Sequence, residues 1–248
     1  MTDEFITEIN EDLRLIQRRG GLTFGTDAYL LGAFVRPMPR GRAAELGGGC
    51  GVVSLLCAAR HRFARILSVE LQPDFADLIR RNAEFNGLES VVTAVRADVR
   101  ELTVRDTEGE LDAVFSNPPY FRAGTGKVNE SPQMRAARRE ENGTVRDFCA
   151  AAGRLLRWGG CFTAVYRPER LTELLVSLRS AGLEPKRIVF VHPAQDKPPS
   201  LILAEAKKGA GEGLVCARPL IVYRDTAKTV YTDDMQAVYD TFSMDHLF

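Results

Sequence analysis

The sequence lacks any cysteine pairing to build on. Its five cysteines, at positions 50, 57, 149, 161 and 216, are odd in number and never fall at C-x-x-C spacing. That excludes a disulfide framework and the usual zinc clusters, and predicts reduced, mostly buried thiols and no metal site. An excess of charge is missing too: 33 basic residues meet 33 acidic ones. A polyanionic partner would therefore have to be met by a local patch rather than by the whole surface. No apolar run reaches 18 residues, which excludes a membrane-spanning helix, and the opening "MTDEFITEINEDLRLIQRRG" is too charged for a signal peptide. These absences predict a soluble, cytoplasmic protein. Internal repeats and interdomain linkers are absent as well. What remains is 248 residues with 45% hydrophobic content, enough to bury the core of one large domain with small additions.

Along the chain, apolar strands alternate with helices. After a polar start, "TDAYLLGAFV" (26–35) carries apolar residues at helical spacing behind a Thr/Asp cap and stops before Pro37. "RAAELGGGCG" (42–51) is a short strand running into glycines, and "VVSLLCAARH" (52–61) a buried helix. "RILSVEL" (65–71) is the next strand, followed by an amphipathic helix over 73–87 with proline in its first turn and Gly87 as its stop. Strands at 90–98 and 111–117 flank a helix or turn around 99–106. Strand, helix, strand, helix is the pattern of a parallel sheet covered on both faces. A polar, Arg-rich stretch follows residue 120, then a helix at 145–156, a strand at 161–167, a helix at 168–182 and a strand at 186–192. "PAQDKPPS" is too short for a crossover helix, so "LILAEAK" (201–207) must return antiparallel. Another strand, "RPLIVYRD", and a helix at 232–242 complete the chain.

"ELGGGCG" sets Gly47, Gly49 and Gly51 between a strand and a helix N-terminus, where small residues let a ligand approach the backbone. A dinucleotide fingerprint would need glycine where Val52 stands, and no Gly-Lys-Ser/Thr follows, so both phosphate readings weaken. Acids take their place. Glu45 under the loop suits a ligand ammonium, Glu70 at the tip of the next strand suits a ribose diol, and Asp98 suits an adenine amine. In order, those three describe S-adenosylmethionine. The plain alternative is a glycine-rich turn with acids that merely cap helices.

"VFSNPPYF" (114–121) ends a strand at Asn117, because Pro118 and Pro119 have no N–H for a ladder. The amine of a base, or a glutamine amide, is a poor nucleophile because its lone pair is delocalised. Two acceptors, the Asn117 side-chain oxygen and the Pro118 carbonyl, can hold both N–H groups and favour a pyramidal nitrogen. The prolines keep that carbonyl pointing outward, and Tyr120 supplies a ring for a flipped base to stack on. Taken alone, the same residues also fit a proline turn with a surface tyrosine.

With these motifs the sequence resembles the class I S-adenosylmethionine-dependent methyltransferases bearing N-P-P-Y, specifically the bacterial tRNA(Val) adenine-37 N6-methyltransferase family. "QRRGGLTFGTDAYLLGAF", "VELQPDFADLIRRNAEFNGL", "RADVRE", "RAARREE", "PSLILAEAKKGAGEGL" and "YTDDM" extend the likeness over most of the chain. The resemblance implies a Rossmann-like α/β fold with a seven-stranded, mainly parallel sheet of order 3-2-1-4-5-7-6, its last strand antiparallel. It divides the chain into an N-terminal extension with a first helix (1–40) and a methyltransferase domain (41–248). It implies S-adenosyl-L-methionine as cofactor, lined by Thr26, Asp27, Glu45, Gly47, Gly49, Gly51, Glu70, Leu71, Asp98, Val99 and Asn117. Asn117, Pro118, Pro119 and Tyr120 would hold the adenine, and Phe121, Arg135, Arg138 and Lys197 would meet the rest of an RNA, most simply tRNA. Arg139 departs from the family pattern, which has histidine there.

Other readings stay open. A protein glutamine N-methyltransferase faces the same chemical problem, although only about 40 residues precede the glycine loop here, too few for a helical domain. A binding module without catalysis would be expected to carry a damaged loop or a damaged N-P-P-Y, and both are intact. Arg135, Arg138 and Arg139 fit phosphate contacts and fit equally a solvated helix face paired with Glu140 and Glu141.

Overall fold

The computed structural model describes residues 4–10, 13–19, 25–119, 143–225 and 227–248. Four parallel strands form one side of a large sheet, with β5 at its edge: β3 (Met38–Leu46), β4 (Phe63–Glu70), β5 (Val92–Arg96) and β6 (Leu111–Ser116). β7 (Leu156–Tyr166) pairs parallel with β6, β9 (Leu201–Lys208) lies antiparallel between β7 and β8 (Leu183–Ala194), and β10 (Val215–Cys216) and β11 (Leu220–Tyr223) pair parallel with β8. The spatial order is β10-β8-β9-β7-β6-β3-β4-β5, with β11 also on β8. Among the described residues the sheet therefore has nine strands where seven are expected. The two extra strands are short, two and four residues, and extend the far edge of β8.

Helices α1 (Thr26–Phe34), α2 (Val52–Ala59) and α3 (Pro73–Phe85) contribute to one apolar core, and α4 (Val145–Leu155) and α5 (Leu171–Ser180) to the other. Neighbouring residues of β6 serve opposite cores, Phe115 with Leu55 and Phe63, Val114 with Phe148 and Leu155. That alternation explains why the strand reads as continuously apolar rather than as every second residue. The final helix, α6 (Asp233–Thr241), is tied to α1: the Tyr29 hydroxyl donates to the Tyr239 carbonyl at 3.2 Å, and a Cβ on Gly32 would come within 2.8 Å of the Phe242 ring.

Several local expectations need correction. The polar start forms a hairpin of its own, β1 (Glu4–Asn10) with β2 (Leu13–Arg18). Asn82 on α3 and Asn86 at its C-cap cover the hairpin's edge: Asn82 Oδ1 accepts from Ile16 N at 2.7 Å, and Asn86 Nδ2 donates to the Arg14 carbonyl at 2.8 Å. Thr26 does not cap α1; Gly25 is the N-cap and Thr26 the first helical residue. Residues 99–106, read as a helix or a turn, form turns, as the second alternative had it. The "WGG" segment lies inside β7, where a bulge against β6 and a left-handed Gly159 (φ +79°) absorb the extra residues.

Candidate active site

β3 and β6 are hydrogen-bonded neighbours, with Leu46 opposite Ser116. The glycine loop and the N-P-P segment therefore leave the same edge of the sheet from adjacent strands, at the point where the strand order reverses. The Ser116 hydroxyl, donating to the Leu46 carbonyl at 2.7 Å, pins the two exits together.

Gly47, Gly49 and Gly51 all adopt left-handed conformations (φ +74°, +56° and +83°). A Cβ on Gly47 would press on Phe148 and one on Gly51 on Ile79, each at 3.2 Å, so packing and backbone geometry both demand glycine there. Glu45 is buried beneath the loop. Its Oε2 accepts from Ser54 N and from Ser68 Oγ, both at 3.1 Å, and from Ser54 Oγ. What the structure shows of Glu45 is thus a brace between β3, α2 and β4, beside the ammonium contact expected of it. Glu70, also buried, joins the neighbouring strand to the loop: Oε2 accepts from Gly49 N at 3.0 Å and Oε1 from Gln72 N at 2.9 Å. Burial raises its pKa. Leu71 follows, half-buried.

Asp98 is gripped by Arg100, whose Nε lies 2.9 and 3.0 Å from its two oxygens, and this hydrogen bonding holds its pKa down. A carboxylate has about four acceptor positions, so a ligand amine can still be received. Val99 is buried next to it in sequence. Thr26 is exposed at the start of α1. Asp27, in that same first turn, meets the second motif: Asn117 Nδ2 donates to Asp27 Oδ2 at 2.8 Å. The Asp27 oxygen accepts here, so this contact fixes which end of the amide faces Asp27 and turns Oδ1, an acceptor, away from it. Pro118 is buried and Pro119 half-buried. Tyr120, Phe121, Arg135, Arg138 and Arg139 lie outside the described residues. Lys197 is exposed in the β8–β9 turn.

Two positioning residues escape a reading of the motifs alone. Asn82, fully buried on the inner face of α3, donates from Nδ2 to the Cys50 carbonyl at 3.0 Å and so holds the glycine loop from outside. An asparagine on the apolar face of an amphipathic helix is the signal that could have found it. Gly25 is the other: a Cβ there would sit 2.5 Å from Asp27 Oδ1.

Burial lifts the Glu45 carboxyl to about 7, the serine hydrogen bonds only partly opposing it. A carboxyl with a raised folded-state pKa adds stability below its ordinary value near 4.5, and that stability is lost as pH rises through about 7. Glu45→Gln, neutral throughout, is therefore expected to gain on the wild type between pH 5 and 8.5, by about 2–3 kcal/mol at the upper end. Thermal melts across that range check this; a stability gap independent of pH would contradict it.

Among the described residues no three His, Cys, Asp or Glu side chains gather as a metal site, and no helix is long and apolar enough to cross a membrane. Burial pushes the Cys57 and Cys149 thiols up to about 12, far from the thiolate range of reactive cysteines.

Residues 43–123 match the model of the TRM5/TYW2 methyltransferase domain. The tRNA1(Val) (adenine(37)-N6)-methyltransferase of Shewanella sediminis is 29% identical over 185 residues, covering 72% of this chain and 73% of the relative. Among solved structures, one described as a predicted O-methyltransferase from Agrobacterium tumefaciens superposes with a TM-score of 0.70 at 22% identity, covering 88% of this chain and 97% of the other. The TYW2 protein of M. jannaschii, in complex with AdoMet, superposes with a TM-score of 0.57 at 13% identity, covering 84% and 86%.

Proposed function

We propose, for a chain that has the class I methyltransferase fold and is related to the tRNA1(Val) (adenine(37)-N6)-methyltransferases, that it methylates the exocyclic N6 amine of an adenine in RNA, with tRNA as the substrate. The observation that carries this reading is the Asn117–Asp27 contact. It turns an amide oxygen outward at the end of β6, one strand away from the glycine loop, where an amine and a methyl donor would meet.

S-adenosylmethionine supplies a methyl carbon made electrophilic by its sulfonium. The residues present fit it: left-handed glycines leave the loop bare, Glu70 offers a buried carboxylate beside that loop, and Asp98 retains acceptor capacity. Asn117 Oδ1 and the Pro118 carbonyl accept the two N–H groups of the target amine. Holding both removes rotational freedom and draws the lone pair out of conjugation; no general base is needed to start the transfer, and the nitrogen, cationic once the methyl–sulfur bond has broken, sheds one of its two protons to water. Asp27 keeps the amide from flipping. Its charge polarises the amide along the same chain of hydrogen bonds, which strengthens the oxygen as an acceptor. Tyr120 would stack the flipped base, and Phe121, Arg135, Arg138 and Lys197 would meet the flanking nucleotides. We read 41–248 as the methyltransferase domain with 1–40 as an N-terminal extension, working in the cytoplasm where tRNA is modified.

Asp27→Ala is expected to lower kcat about 10- to 100-fold by releasing the amide. Asp27→Asn, whose oxygen can still accept from Asn117 Nδ2, should recover most of it. Equal losses in both variants would show that orientation is not what Asp27 supplies. The reaction class is tested by incubating the protein with methyl-labelled S-adenosylmethionine and either unmodified tRNA or purified release factors. Label in RNA is the expected result; label only in protein would replace this reading with glutamine methylation.

A further inference from the structure

At the same sheet edge, beyond β7, lies a groove of about 420 Å³ that the glycine loop and N-P-P segment do not line. Among the described residues, Arg167, Lys197 and Lys228 line it with one acid, Asp225, and Pro193, Pro198 and Pro199 contribute apolar ring surface. In a chain with no net charge, three cations around one concavity form a local positive patch. The volume falls within the range of about 300–1,000 Å³ typical of small-molecule sites.

Its position relative to Asn117 follows from strand register. Ser116, the last residue of β6, faces Ala164 on β7, and β7 ends two residues later at Tyr166, just before Arg167. Lys197 and the prolines come from the β8–β9 turn, and β8 is the third strand from β6. At about 4.8 Å between strands, the groove extends from roughly 5 to 15 Å to one side of Asn117.

Both walls are held before any ligand arrives. On the hairpin side, Lys197 N donates to the Ala194 carbonyl at 3.1 Å, Ser200 N to the Val191 carbonyl at 2.8 Å, and the Lys197 carbonyl lies 2.8 Å from His192 Nδ1. On the other side, Asp225 accepts from the Thr229 hydroxyl at 2.6 Å, and Tyr223 stacks on Tyr231 with ring centroids 5.0 Å apart. Lys197 is 3.9 Å from Asp196, and Arg167 is 3.2 Å from Glu169, both pairs well exposed and screened by solvent.

We propose that this groove binds the backbone of the RNA strand flanking the target adenine, its cations on phosphate oxygens and its prolines against ribose or base. The proposal rests on the RNA reading above. A flat apolar surface beside clustered cations suits a nucleotide, which carries both a charged and an apolar part. The β8–β9 hairpin and the turn after β11 would then act as a guide that leads the strand toward Asn117.

The test compares the wild type with Lys197→Glu/Lys228→Glu, Lys197→Ala/Lys228→Ala and, as a control at the opposite edge of the sheet, the exposed Arg40→Glu. Measured are kcat and KM for unmodified tRNA, tRNA affinity as a function of salt, and affinity for S-adenosylmethionine. The charge-reversed pair is expected to raise KM for tRNA about tenfold or more, with donor affinity unchanged. The alanine pair should flatten the plot of log affinity against log salt by about 1–2 units of slope. Arg40→Glu should behave as the wild type. If the wild type methylates tRNA but the groove variants match it, or if Arg40→Glu loses as much as they do, the groove assignment is overturned while the reaction stands. If the wild type places no label in RNA, the underlying reading fails and the groove proposal with it.

Discussion

Asn117→Ala is expected to lower kcat by about 10²–10³ while leaving affinity for S-adenosylmethionine within a few-fold of the wild type. The size follows from other preorganised single hydrogen-bond groups aimed at a reacting centre, whose removal costs that much. The selectivity follows from position: Asn117 belongs to the end of β6, whereas the loop contacts that shape the donor site run among Glu45, Ser54, Ser68, Gly49 and Glu70. Rapid-quench turnover and equilibrium binding of the donor measure the two quantities separately. Asn117→Asp sharpens the test. It retains an oxygen acceptor but sets two carboxylates where an amide now lies 2.8 Å from Asp27. Like charges so close raise one pKa strongly, so the pair must share a proton to keep the geometry. This variant should be most active at acid pH and fall as the shared proton is lost, a profile that a merely structural asparagine would not produce.

Arg187→Met is expected to be the most destabilising change away from the reacting groups. Arg187 is buried and grips buried Glu205 through Nε and Nη2 at 3.0 and 2.8 Å, while Nη2 also donates to the Phe34 carbonyl at 3.3 Å. It thus joins β8 and β9 to the C-terminal end of α1. Methionine fills much of the space but leaves Glu205, among the described residues, with Arg36 as its cation, whose side chain is half exposed. Breaking one side of a buried pair costs about 3–5 kcal/mol, because the remaining charge keeps its desolvation penalty. In a chain of this size that lowers Tm by roughly 6–20 °C. Replacing both partners, as Arg187→Met/Glu205→Leu, should restore a large part of the loss. Calorimetry on the two variants decides it; a double variant no more stable than the single one would contradict the account.

What the sequence made legible was local chemistry. Glycines that must turn left-handed and prolines that must end a strand mark the two motifs wherever they occur, and the alternation of strands with helices is enough to bring both to one edge of the sheet. Contacts between distant residues were not legible. Asp27 and Asn117 are 90 positions apart, and nothing in "GTDAYLL" says that its carboxylate will face an amide rather than a ligand. Asn82 stands out only as an asparagine on the apolar face of its helix, and nothing in the sequence says that its side chain will meet Cys50. The β1–β2 hairpin escaped for a related reason. "EFITEIN" carries too many charges to read as a buried strand, and its partner strand is completed by the side chains of α3 rather than by another strand. β10, two residues long, falls below what alternation can reveal.

The central claim is that the acceptors at Asn117 and Pro118 select an exocyclic amine. The most direct measurement is nucleoside mass spectrometry of unmodified tRNA after reaction with S-adenosylmethionine, because a ring nitrogen and an exocyclic amine give different methylated nucleosides. N6-methyladenosine as the single new product is the predicted result. A methyl group on a ring nitrogen of guanine or adenine, with no N6-methyladenosine formed, would contradict the account.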